Sequence, residues 1–377
     1  MVLALSLATG ILLLVHLISL LIASLRLARG GTPAPAVGEA PPVSIVIPEN
    51  GIEPYSEETI ARAFRLDWPH YELIFCLADP KDPLIPTIRA AMAAQPDRPA
   101  QILTGDDRIS ANPKLNNCVK GWLAARHDWV ILADSNVLMP QDYIRHLMAA
   151  WRPNTGLVCS TPIGARPHGF WAEVECMFLN SHQARWQYAG EALGWGFAQG
   201  KSMLWHKPML DANGGIHALG AEIAEDAAST KLVSRLGLKV HLVSAPFSQP
   251  LGARTLNEVW SRQRRWARLR RVTFPAFFVP EIILGAVPPL ALTLAACWLS
   301  GTAPLLPVLA ILLAIYLPEL ALARAKCWRL SALSLPAMIT RDLLLPLVWL
   351  KSWQTTAFAW RGNSMTIGTK GTELREA

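Results

Sequence analysis

Three aspartates stand at the ends of expected strands or the start of a helix: Asp82 in ADPKDP, Asp134 in LADSN and Asp226 in AEDAAS. Beyond the third lies an arginine-rich stretch, Arg262-Gln263-Arg264-Arg265-Trp266. Carboxylates so placed can hold a metal–diphosphate and deprotonate a hydroxyl, and fixed guanidinium groups can neutralise a departing diphosphate. Together these residues point to sugar transfer from a nucleotide donor. Apolar segments precede and follow the set, which points to a lipid acceptor.

Each feature also has a simpler explanation. Asp134-Ser135-Asn136 closes a strand and precedes a helical pattern, so Asp134 could serve only as an N-cap. As a ligand it would meet Mg²⁺ or Mn²⁺, which prefer oxygen donors completed by diphosphate and water. Asn136 replaces a second aspartate there and offers only an amide oxygen. Glu225-Asp226 opens the run AEDAASTKLVSRLG, where the macrodipole alone favours an acid. The functional alternative is that Asp226 takes the proton of an attacking hydroxyl. Arg262 and Arg265, at i and i+3, share a helix face and could address one diphosphate, with Trp266 shielding the site or stacking on a ring. The order of these features in one chain is more specific than any of them singly.

One near-match is set aside. Gly194 to Ser202 reads GWGFAQGKS, but a phosphate-binding P-loop needs glycine where this chain has Trp195.

The elements that must position these residues follow from the apolar pattern. VSIVI (43–47), ELIFCLA (72–78), AQILTG (100–105), WVILAD (129–134) and GLVCST (156–161) read as buried strands, with helical stretches such as SEETIARAF and NPKLNNCVKGWLAA between them. That alternation predicts an α/β, doubly wound sheet, which binds ligands beyond the carboxyl ends of its strands.

The chain ends have a different character. Charged residues make up 17% of 377, and mean hydropathy is positive. Residues 3–25 carry no acid or base except His16 and are long enough to cross a bilayer. No basic region precedes them, so a retained anchor is expected and not a cleaved signal peptide. Arg26 and Arg29 directly follow, which places the next segment in the cytoplasm. Residues 30–42, GGTPAPAVGEAPP, read as a linker. After about residue 275 two further apolar stretches could span a membrane. A third, LSALSLPAMITRDLLLPLVWL, carries Arg341 and Asp342 near its centre. Lys326 and Arg329 lie before it and Lys351 and Arg361 after it. Those flanks predict a re-entrant or interfacial hairpin lining the acceptor site, its charged pair satisfied by mutual pairing or water. The expected domains are an anchor (1–28), a linker (29–42), a cytoplasm-facing catalytic domain (43–271) and a C-terminal membrane domain (272–377).

The six cysteines show no metal-ligand spacing and read as free thiols in a reducing compartment. Six arginines between 262 and 271 dominate the net charge of +7. Adjoining an apolar segment, they fit anionic lipid headgroups better than nucleic acid. Several of the 15 tryptophans, among them Trp260, Trp266, Trp328, Trp349, Trp353 and Trp360, lie near expected membrane boundaries.

The residues just described resemble the ceramide glucosyltransferases. The similarity is carried by NGIEP (50–54), DPKDP with Asp82, NPKLNN (112–117), DSN (134–136), GLV (156–158), NSHQAR with His182, NGG (213–215), AED (224–226) and RQRRW. It implies a membrane-bound, inverting enzyme with a GT-A nucleotide-sugar transferase fold, using UDP-glucose as donor and the primary hydroxyl of ceramide as acceptor. The implied roles are uridine binding by Asp82, metal–diphosphate contact by Asp134, donor binding by Lys114 and His182, and general base for Asp226. Arg262, Arg265 and Trp266 match the family's (R/Q)xxRW element. The chain departs from the family at Ile47-Pro48-Glu49-Asn50-Gly51, where Lys-Pro-Leu-Lys-Gly is usual, which bears on donor contacts. The alternatives are N-acetylglucosamine transfer to a hopanoid, a processive polysaccharide synthase (for which the later apolar segments are too few) and a non-enzymatic scaffold, which would make no use of these acids.

Overall fold

A computed structural model describes residues 1–29 and 40–354, together with the backbone of two short strands, Ala357–Trp360 and Asn363–Thr366. Most of the expected linker, the flanking Arg361 and the side chain of Trp360 lie outside the described residues. The chain divides into two compact units. A sheet unit comprises Leu27–Ile163 and Gly190–Pro250, and a helical unit comprises Met1–Arg26, Gly164–Ala189 and Leu251–Ala377. The expected block 43–271 is therefore shared between the two.

The strands are β1 (Val43–Glu49), β2 (Tyr71–Leu77), β3 (Ala100–Thr104), β4 (Trp129–Ala133), β5 (Thr155–Cys159), β6 (Ile163–His168), β7 (Ser202–His206), β8 (Lys239–Leu242) and β9 (Ser248–Ala253). Seven form one sheet in the order β3-β2-β1-β4-β7-β5-β8, and β6 pairs with β9. The first five coincide with the apolar runs of the sequence. Every residue of β1 and β2 is buried, as strands covered on both faces require. Ile45, Leu73, Phe75, Ile131 and Leu204 lie at the centre of the core.

The sheet is mixed. β1 to β4 are mutually parallel where they pair, whereas β7 runs antiparallel to both β4 and β5. β7 is a short segment, SMLWH, behind a glycine-rich run, and was not among the expected strands. Its direction matters: the residue that precedes it, Lys201, lies beside the residue that follows β4, Asp134. The Asp134 amide donates to the Lys201 carbonyl at 2.9 Å.

The helix Pro113–Ala124 sits against β1 and β2. Asn112 caps it by accepting from the amides of Lys114 and Leu115, and Pro113 begins it where a missing N–H costs nothing. The Asn117 side chain donates to the carbonyls of Glu49 (3.0 Å) and Cys76 (2.6 Å), tying the ends of β1 and β2 to the helix. A Cβ at Gly121 would collide with the side chains of Val46 and Cys76, so only glycine lets the helix lie this close.

In the helical unit, Val2–Ala28, Pro275–Ser300 and Leu305–Ala325 are long and apolar enough to cross a membrane. On the first, Leu3, Leu7, Ile11, Leu14, Ile18, Leu21 and Leu25 are exposed at spacings of three and four, a stripe suited to lipid. The second is built of pieces, Pro275–Phe278, Val279–Ile283 and Val287–Ser300, broken at Gly285 with φ 83°. Residues Ser334–Ser352 form one continuous helix, in place of the expected hairpin. Arg341 at its centre pairs with Asp342 and Glu319, so the expected mutual pairing of the two charges is present.

Candidate active site

At the carboxyl end of β4, Asp134 lies between two ammonium groups. Lys114 Nζ is 2.5 Å from its Oδ1 and Lys201 Nζ is 2.7 Å from its Oδ2. Lys114 comes from the first turn of the capped helix Pro113–Ala124. It also reaches Glu225 Oε1 at 2.6 Å and the carbonyl of Gly200. Glu225 Oε2 accepts from Asn112 Nδ2 at 2.5 Å. Lys201 donates to Asn136 Oδ1 at 2.9 Å. One continuous network thus joins four segments far apart in sequence, and NPKLNN supplies both its cap and its charge.

Asp226 lies in the first turn of the helix Glu225–Arg235 beside this network and accepts from the Ala227 amide at 2.8 Å. Burial and then the neighbouring Glu225 carboxylate push its pKa up to about 7, against the pull of Lys114 and nearby amides. A carboxylate with that pKa is matched to proton transfer at neutral pH. Asp134 behaves oppositely. Burial disfavours its charge, but Lys114 and Lys201 more than compensate and hold it below the usual carboxylate range. Two acids of one site are therefore driven apart, one to stay ionised and one to exchange a proton.

Asp82 follows β2 and is buried. It accepts from the Gly51 amide at 2.8 Å and from the Leu84 amide at 2.8 Å. It thereby fixes the Asn50-Gly51 turn after β1, where Gly51 has φ 69°.

The remaining sequence-derived residues belong to the helical unit. Arg262, Arg265 and Trp266 lie on the helix Leu256–Thr273, which opens with a capping box between Thr255 and Glu258. Arg262 Nη1 donates to Glu175 Oε1 at 2.6 Å, and its guanidinium is 6.0 Å from the Trp266 ring centroid. His182 occupies a π-helical turn, Phe178–Ala184, and lines a small cavity with Gln183, Gln263, Arg270, Phe278 and Trp349. Burial, then the Arg341 and Arg185 guanidiniums, hold its pKa well below the ordinary imidazole value, so it is neutral.

The structure brings Lys114, Asp134 and Asp226 close together, along with Lys201 and Glu225, to which the sequence reading gave no role in the site. The signal for Lys201 was the GKS of the rejected P-loop match: a lysine directly before a strand.

Acids and ammoniums gathered beyond the carboxyl end of β4 in this mixed sheet fit a GT-A glycosyltransferase domain. A mannosyltransferase of Pyrobaculum calidifontis, solved with GDP-Man and Mn²⁺, shares the fold with a TM-score of 0.53 at 16% identity, covering 93% of this chain and 96% of that one. The chain belongs to glycosyl transferase family 21, whose profile matches residues 11–373. Ceramide glucosyltransferase 1 of Caenorhabditis elegans is 28% identical over 274 residues, 72% of this chain and 58% of that protein. Ceramide glucosyltransferase 3 of the same organism is 26% identical over 340 residues, 88% of this chain and 74% of that protein.

Proposed function

We infer that the protein moves glucose from UDP-glucose to the primary hydroxyl of ceramide in a single inverting displacement, with its catalytic domain facing the cytoplasm. The observation that carries this reading is the pair of opposed acids: Asp226 held near neutrality beside an Asp134 that stays charged.

Asp226 is the base. Its carboxylate, poised at neutral pH, accepts the proton of the acceptor hydroxyl as that oxygen attacks the anomeric carbon. Lys114, anchored by Glu225 and the Gly200 carbonyl, presents positive charge where the diphosphate departs. Asp82 keeps the turn after β1 in place for the nucleoside.

Among the described residues no group of three or more His, Cys, Asp or Glu is arranged to hold a metal. The oxygens of Asp134 and Asn136 nevertheless suit a hard cation that brings most of its shell with it, since Mg²⁺ is commonly held by one or two carboxylates plus substrate phosphates. Asp134 would hold Mg²⁺ or Mn²⁺ there, and the ion would neutralise charge on the diphosphate. For Arg262 the leaving-group role implied by the family motif requires exchanging Glu175 for a phosphate.

The test is product formation by the purified protein in detergent, with ceramide and labelled UDP-glucose, UDP-galactose or UDP-GlcNAc. Hexosylceramide from UDP-glucose alone is expected. Transfer only to another lipid, or only from UDP-GlcNAc, would replace the donor and acceptor named here, and no lipid product from any donor would overturn the reading.

A further inference from the structure

The cavity beside His182 lies wholly within the helical unit and measures about 20 Å³, room for one hydroxyl-sized group. Phe178, Phe278, Leu345, Val348 and Trp349 are its apolar lining, and His182, Gln183 and Gln263 its uncharged polar one. Two of those polar atoms are left over. His182 and Gln263 are 7% and 3% exposed, yet His182 Nδ1 and Gln263 Nε2 meet no partner. Gln263 is steadied by its oxygen, which accepts from Gln183 Nε2 at 3.1 Å. Buried polar atoms left unpaired are costly, so both call for a ligand group.

The charge of the lining decides which group. Arg270 is spent on Glu281, with two contacts of 2.7 Å, and His182 is neutral. A phosphate would find no uncommitted cation among the lining residues, and an ammonium no uncommitted acid. A hydroxyl both donates and accepts, so it can take the Gln263 Nε2 hydrogen and satisfy His182 Nδ1 in either tautomer. The surroundings decide what carries it. Phe278 and Glu281 belong to Pro275–Ser300, long and apolar enough to cross a membrane. Next to lining residues in the chain, Phe277, Val279, Leu347 and Leu350 stand 47% to 54% exposed, an apolar surface suited to lipid chains.

We propose that this cavity binds the hydroxyl of an uncharged membrane lipid, with Gln263 and His182 as its hydrogen-bond partners. For the identity of the lipid the proposal rests on the acceptor reading above, which makes it ceramide. His182, which the family resemblance put with the donor, serves the lipid instead. The step is binding alone, and no bond forms or breaks in it.

The experiment measures binding of a fluorescent short-chain ceramide by anisotropy, on the full chain in detergent without nucleotide, so that no transfer can occur. Wild type is expected to bind ceramide about tenfold more tightly than the same lipid with its hydroxyls methylated, the size of one good hydrogen bond. Gln263→Leu should lose that factor for ceramide and nothing for the methylated lipid. Ala267→Val keeps both polar groups but fills the cavity, and should weaken ceramide at least as much. Equal binding of the two lipids by wild type overturns the proposal without recourse to a variant. Unchanged ceramide affinity in both variants also overturns it, and would leave the cavity to an ordered water. In either case glucosylated ceramide from UDP-glucose would keep the transferase reading intact. The expected binding pattern with no transfer from any donor would sink that reading and leave the hydroxyl site standing.

Discussion

In the sheet unit, Lys114, Lys201, Asp134 and Glu225 keep side-chain exposures of 8% to 20%, whereas Arg185, Arg341, Glu319 and Asp342 of the helical unit sit at 0% to 1%. Both are networks of paired charges. In the helical unit two guanidiniums face two carboxylates: Arg185–Glu319 at 3.0 Å, Arg341–Glu319 at 2.8 Å and Arg341–Asp342 at 2.8 Å. The Tyr316 hydroxyl and the Ala286 amide complete Asp342, and Ser181 accepts from Arg341. His16, the sole ionisable residue of the first apolar segment, contacts Arg185 and the Ile315 carbonyl. Such a cluster fastens five segments of the chain in a dry interior, with planar guanidiniums in fixed geometry. The sheet-unit network uses lysines, stays partly wet, and leaves beside it an acid whose charge is not settled at neutral pH. Similar pairing chemistry is sealed in one place and left partly exposed in the other.

That contrast can be broken in three ways. The largest effect is expected from Asp226→Asn, which removes the proton acceptor without changing shape. Turnover should fall by about 10²–10⁴, with UDP affinity within a few-fold of wild type. Wild-type turnover, measured by lipid product, would end its assignment as base.

Glu319→Ala comes next and acts on stability. It strips both buried guanidiniums of their shared partner, and breaking a buried pair costs about 3–5 kcal/mol. Thermal unfolding in detergent should shift strongly downward, while the specific activity of the folded fraction holds. Unaltered stability would mean the sealed network fastens nothing.

The smallest effect is in pH dependence. With Asp226 at about 7, kcat/KM should rise with pH through an acid limb near that value. Glu225→Gln removes a like charge that raises this pKa, so the limb should move to lower pH. The stability sign is the reverse of a salt-bridged acid. The folded-state pKa lies above the unfolded value, so the contribution is fully present below about 4 and is lost as pH rises through 7. Asp226→Asn should therefore lose less stability than wild type between pH 5 and pH 8, as thermal unfolding at the two values would measure. A flat activity profile across that range would detach Asp226 from the chemistry.

Much of this arrangement was legible beforehand. β1, β2, β4 and β5 announce themselves as continuous apolar runs because both faces of the sheet are covered there, whereas β3, also expected to be buried, is an edge strand left partly exposed. The helix after Asn112 carries its own start signal in Asn-Pro, and the RxxRW helix carries one in its capping box. Lys201 was not legible, because the antiparallel course of β7 is a tertiary fact: reversal brings the start of that strand, not its end, level with Asp134. The Arg185–Glu319 pair was hidden for a related reason. Its members are 134 residues apart; Glu319 alone resembles an isolated charge in an apolar helix, and Arg185 one more charge in a polar stretch.

Gly121 lies two helical turns after Lys114, on the same flank of Pro113–Ala124. Its bare Cα lets that helix rest flush on β1 and β2. A single added methyl there would lever the whole segment outward, and the ammonium at its head would lift off both carboxylates it bridges. The reach of a charge at one end is thus set by the absence of a carbon atom at the other, a dependence that no inventory of residues touching the nucleotide would disclose.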